Sequence, residues 1–89
     1  MSDSSLLRLP AVARSRGRSR SQLYADCAAG KMPPPVKISR KLTAWPAYEI
    51  DALNRAEIAG ANEDEIRALV QRLVEQRKHA REELPGEAA

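Results

Sequence analysis

The chain has 89 residues, no Phe and three aromatic side chains (Tyr24, Trp45, Tyr48), which leaves room for one small core and none for a two-domain enzyme with its own cleft. Its net charge of +3 conceals an asymmetry. Residues 1–44 carry nine basic and two acidic side chains, whereas residues 45–89 carry six basic and ten acidic ones. Such a split points to a basic surface for a polyanion and a separate acidic region.

Residues 1–7 are mostly polar and are expected to form a flexible N-terminal arm. Pro10 suits the first turn of a helix, where a missing N–H loses nothing, and Gly17 is a natural stop for it. Ser19 with Gln22 three residues on forms a capping-box signature, so a second helix is expected over 20–29, with Leu23 and Cys27 inward and Gly30 after its end. Two short helices joined by a tight glycine turn describe a helix-turn-helix. Pro33-Pro34-Pro35 then extends the chain, Val36–Ile38 and Leu42–Trp45 read as two strands, and Ser39-Arg40-Lys41 reads as the hairpin tip between them. A hairpin after a helix-turn-helix is a wing.

Pro46 opens a third helix that ends at Gly60, with Tyr48, Ile50, Leu53 and Ile58 available to cover the first two. Asn62 and Glu65 cap a fourth, in which Ile66, Leu69, Val70, Leu73 and Val74 form one apolar stripe. That stripe has two uses open to it, folding back onto its own domain or packing on a neighbouring copy as an oligomerisation surface. In the second case the acidic region meets the basic front of the next molecule, head to tail along DNA. The expected organisation is an arm (1–7), a winged helix-turn-helix (8–60), a C-terminal amphipathic helix (61–81) and a frayed tail (82–89). The fold class is mainly α with a small β-hairpin. The expected core is Leu9, Val12, Leu23, Cys27, Val36, Ile38, Trp45, Ile50 and Leu53.

The Arg/Ser run 13–21 has a bland reading, a disordered polyanion-binding linker, and a sharp one in which Arg18, Ser19, Arg20, Ser21 and Gln22 begin a recognition helix. Apolar residues at helical spacing on both sides favour the second. There Arg20 is suited to guanine O6/N7 and Gln22 to adenine N6/N7, although Gln22 cannot fully serve both a cap and a base. Lys37, Ser39, Arg40 and Lys41 place the wing against phosphate or the minor groove, and Tyr24 can offer a hydroxyl to phosphate. One cysteine excludes an internal disulfide and a cysteine-cluster metal site, and Cys27 reads as packing. His79 has no partner set for a metal, adjacent acids such as Asp64-Glu65 face apart, and neither a phosphate loop nor a nucleophile constellation occurs. An enzyme is therefore not expected, nor any cofactor or metal. No stretch approaches the ~18 apolar residues of a membrane span, and the expected location is cytoplasmic, with the nucleoid.

Leu9-Pro10-Ala11-Val12-Ala13, Gly17-Arg18-Ser19-Arg20-Ser21-Gln22-Leu23-Tyr24, Gly30, Pro33-Pro34-Pro35-Val36-Lys37-Ile38, Ala44-Trp45 and Glu49-Ile50-Asp51 follow one another in that order. Over residues 6–58 this series resembles the AlpA-type small regulators and excisionases, which share a MerR-like winged helix-turn-helix. The resemblance implies binding to double-stranded DNA. It also implies a role as an excisionase, a recombination directionality factor of a phage or integrative element that binds attachment-site DNA cooperatively and shapes it for a tyrosine recombinase. An AlpA-like transcriptional regulator of mobile-element genes is the alternative, and a protein-interaction module such as an antitoxin a second. Two positions depart from the family's habit. Ser39 stands where Gly is common at the hairpin tip, and Ala25-Asp26 stand where a basic and an apolar residue are common.

Overall fold

Residues 4–85 are described by the computed structural model. Leu6–Leu7 form β1, which pairs antiparallel with β3 (Thr43–Pro46) in the register Leu6↔Pro46 and Leu7↔Trp45. Ala47 N–H adds a bond to Ser5 O at 2.7 Å. The expected flexible arm is therefore corrected from Ser5 onward: two leucines next to a paired strand satisfy their backbone in the sheet instead of in water. β2 (Val36–Lys37) lies on the other side of β3, giving a three-stranded antiparallel sheet in the order β1-β3-β2 rather than an isolated hairpin. The hairpin turns through Ser39–Leu42, where Leu42 N–H reaches Ser39 O at 3.4 Å.

The helices begin and end where local chemistry directs. α1 (Leu9–Arg16) has Pro10 in its first turn and stops at Gly17, whose φ of 65° lets Arg18 N–H return to Ala13 O and Gly17 N–H to Arg14 O. α2 (Arg20–Ala28) starts on a complete capping box. Ser19 Oγ accepts from Gln22 N–H at 3.2 Å, and Gln22 Oε1 accepts from Ser19 N–H at 2.8 Å. α3 (Ala47–Ile58) follows Pro46 directly and ends in the same glycine motif, with Gly60 at φ 87° and Ala61 N–H bonded to Ala56 O. α4 (Glu63–Glu82) has a second capping box, Asn62 with Glu65, and three acids in its first turn where the helix dipole favours them.

Val12, Leu23, Met32, Trp45, Ile50, Leu53, Ile66, Val70 and Leu73 form one core to which every helix contributes. Trp45 is fully buried and its indole N–H donates to Pro33 O at 2.8 Å, so the polar end of the largest core side chain is satisfied. Three expected core residues, Leu9, Cys27 and Val36, are half-buried. Ile38 is 44 % exposed, a correction whose cause is the short β2, which ends before it and carries it out toward the hairpin turn. Ile58, expected to cover the first helices, is 86 % exposed at the last turn of α3. Met32 and Ala44 are buried without having been expected.

α4 settles the open question about its stripe. Ile66, Val70 and Leu73 are buried in the chain's own core, with Leu69 and Val74 packed beside them. The stripe therefore is not an exposed oligomerisation surface. A charged pair reinforces the docking: the fully buried Glu49 carboxylate receives two bonds from Arg77, Nη2 to Oε1 at 2.6 Å and Nε to Oε2 at 2.8 Å. The first two turns of α4 also grip the chain just after α2, through Arg67 Nε donating to Ala29 O at 3.0 Å and Lys31 pairing with Glu63 at 3.4 Å.

Candidate nucleic-acid interface

The capping box fixes where α2 begins, and so fixes what its first turn presents. Arg20 and Tyr24, one turn apart, line a groove of about 420 Å³ together with Lys41 and Thr43 from the hairpin and Arg8, Leu9, Pro10 and Ala13 from the start of α1. Arg8, Arg20 and Lys41 come from three separate elements. All three are exposed, and none makes an ion pair among the described residues. The groove is therefore lined by apolar side chains together with three cations, an arrangement that concentrates positive potential over low-dielectric walls. Guanidinium and ammonium groups so placed can neutralise phosphate, and a two-pronged guanidinium can also bond the guanine edge.

The other expected contact residues divide. Ser21 and Gln22 are exposed on α2, and Lys37, Ser39 and Arg40 are exposed on the hairpin. Tyr24 is 46 % exposed beside the groove. Ser19 is spent on the cap, and Gln22 Oε1 with it. Arg18 is the correction in this set, because it turns away from the groove. Its Nη2 bonds Glu57 Oε2 at 2.7 Å and its Nε pairs with Asp26 Oδ2 at 3.2 Å. The hydrogen-bonded Glu57 carboxylate raises the guanidinium's pKa above its ordinary value, against the opposing pull of partial burial and with help from the Glu57 and Asp26 charges. Glu57 is held below its usual range in return, first by its bond to Arg18 and then by Arg16. Burial, with Asp26 nearby, pushes the Cys27 thiol up, away from thiolate reactivity.

Arg8 belongs to the groove but was not among the expected contacts. Its position depends on β1 pairing with β3, which draws the start of α1 against the hairpin, and two-residue strands leave no periodic signature. The charge map also needs correction. Arg16, Arg18 and Lys31 from the basic half are matched by Glu57 and Glu63 from the acidic half, and Glu49 is matched by Arg77. Three of the ten acids of the expected separate acidic region are thus matched by cations across the fold. Arg8, Arg14, Arg20, Lys37, Arg40 and Lys41 remain exposed and outside every ion pair among the described residues.

The described residues contain no cluster of three His, Cys, Asp or Glu side chains arranged to hold a metal, and no helix long and apolar enough to cross a membrane. No curated protein and no solved structure matches the chain significantly. The family model of the prophage CP4-57 regulatory protein (AlpA) matches residues 5–57, well over half of the chain, so the protein belongs to this family of small, phage-type regulatory DNA-binding proteins.

Proposed function

We propose that the protein binds double-stranded DNA with the start of α2 in the major groove and the β2–β3 hairpin against the backbone or minor groove. We further propose that it serves as an excisionase-type directionality factor without chemistry of its own. The observation that carries the DNA reading is the convergence of Arg8, Arg20 and Lys41, three cations from three elements with no ion pair among the described residues, around one groove. Arg20 reads base edges in this arrangement, while Arg8, Lys37, Arg40 and Lys41 meet phosphate. Several copies occupy attachment-site DNA in the cytoplasm and bend it for a tyrosine recombinase. A bend of 40–90° costs on the order of 1–6 kcal/mol, which binding by adjacent copies offsets.

The test is affinity for duplex DNA as a function of salt. Those four phosphate-neutralising cations give a slope of log K on log salt of about −3.6, and a flat dependence would sink the reading. A second reading, regulation of a mobile-element promoter through the same surface, is favoured by the regulatory description of the family. Reconstituted excision with the element's own integrase separates the two. Excision that is unchanged by adding the protein, beside a promoter that responds, selects the regulator. A folded Arg20→Ala/Lys41→Ala variant with unaltered biological activity selects a protein-interaction role such as an antitoxin.

A further inference from the structure

We propose that Glu57 is a specificity-determining residue that keeps Arg18 away from DNA phosphate and locks the helix-turn-helix turn onto α3. The inference rests on the DNA-binding reading above and deepens it. Arg18 stands two residues before Arg20, just ahead of the Ser19 cap that opens α2. A free guanidinium at that point would bond any phosphate within reach, and phosphate contacts carry no sequence information.

In the structure the group is already committed to carboxylates. Glu57 Oε2 accepts from Arg18 Nη2 at 2.7 Å, Glu57 Oε1 accepts from Nη1 at 3.2 Å, and Asp26 Oδ2 takes Nε at 3.2 Å. All three guanidinium nitrogens are engaged. The same Glu57 Oε1 accepts from Nη1 of the buried Arg16 at 2.7 Å. Asn54, one turn earlier on α3, completes the clamp. Its Oδ1 accepts from Arg16 Nη1 at 2.8 Å, and its Nδ2 donates to Ser15 O at 3.2 Å and to Ser15 Oγ at 3.0 Å. The residues on both sides of Gly17, the left-handed joint between α1 and α2, are therefore held by one face of α3.

Two effects follow. A cation already matched by a carboxylate adds little to the counterion release that drives non-specific binding. A joint fixed on both sides keeps Arg20 and Tyr24 in place along one groove. Both raise the ratio of specific to non-specific affinity. Glu57 remains charged at neutral pH, because its two arginine partners favour the carboxylate.

The experiment uses the full chain, a random-sequence duplex and a duplex selected from a randomised pool, with anisotropy read over a series of KCl concentrations. Glu57→Gln is expected to steepen the salt slope on random DNA by about one and to raise affinity for it by roughly three- to tenfold at low salt. The selected duplex gains less, so the specificity ratio falls. Adding Arg18→Gln to that variant returns the slope to the wild-type value. A folded Glu57→Gln protein with wild-type slope and wild-type ratio overturns the inference. Should Glu57→Gln fail to fold, Arg18→Gln alone decides: an unchanged slope supports the inference, and a slope shallower by about one overturns it. A flat slope for the wild type overturns the DNA-binding reading itself, whereas a steep wild-type slope that Glu57→Gln leaves unmoved overturns the role of Glu57 alone.

Discussion

Arg77→Ala tests how α4 is held on the domain. Glu49 is fully buried, and Arg77 supplies both of its hydrogen bonds, at 2.6 and 2.8 Å. Removing the guanidinium leaves a buried carboxylate without its paired cation, and breaking a buried pair in this way costs about 3–5 kcal/mol. Glu49 sits in the first turn of α3, where the helix dipole offsets part of that loss, and the Arg77 side chain is 21 % exposed, so the lower end of the range applies, about 3 kcal/mol. A domain of this length has a total stability of roughly 4–13 kcal/mol, so the change removes a quarter or more of it. Urea unfolding followed by far-UV circular dichroism gives the value directly, with the slope m expected to stay constant. The apolar double variant Glu49→Leu/Arg77→Met removes both charges and is expected to unfold no more easily than the wild type. A loss below about 1 kcal/mol for Arg77→Ala would refute the reasoning. So would a double variant as unstable as the single one.

Three further outcomes are expected. Ser19→Ala removes the acceptor for Gln22 N–H and costs about 1 kcal/mol, read as a shift of the urea midpoint. A chain ending at Ala61 loses Ile66, Val70 and Leu73, each worth about 1.5–3 kcal/mol of burial, and is expected to lack a cooperative thermal transition. Glu57, whose carboxyl is held below its ordinary range by Arg18 and Arg16, contributes stability that is complete above the unfolded glutamate value. That contribution is lost as pH falls through the depressed folded one, so acid unfolding of Glu57→Gln should be shallower than that of the wild type.

Helix termini were the most legible part of the fold, because the groups that make them lie within a few residues of one another. Ser19 with Gln22, Asn62 with Glu65, and Gly17 after Arg16 all act where their spacing predicts. The groove was half legible. Arg20, Tyr24 and Lys41 could be named from the pattern, but Arg8 needed the β1–β3 pairing to bring it there. The pairing of Arg18 is illegible in the sequence because its partner lies 39 residues away on α3. Composition counts charges and cannot tell a cation bound to a distant carboxylate from a free one. Ile38 was misread for a related reason: alternation assigns a face to a strand residue and says nothing about where the core beneath it stops. The apolar stripe of α4 was seen, but periodicity identifies a buried face without naming what buries it.

The docking of α4 also bears on how such a chain can change by recombination. The stretch shared with the family ends at residue 57, before any of the α4 residues that enter the core. An exchange at that boundary would keep the groove lined by Arg8, Arg20 and Lys41 and remove part of its support. A replacement C-terminal segment has to bring aliphatic side chains at the spacing of Ile66, Val70 and Leu73, followed four residues later by a cation for Glu49. Between those positions Gln71, Arg72, Glu75 and Gln76 are exposed, and there the segment is free to vary.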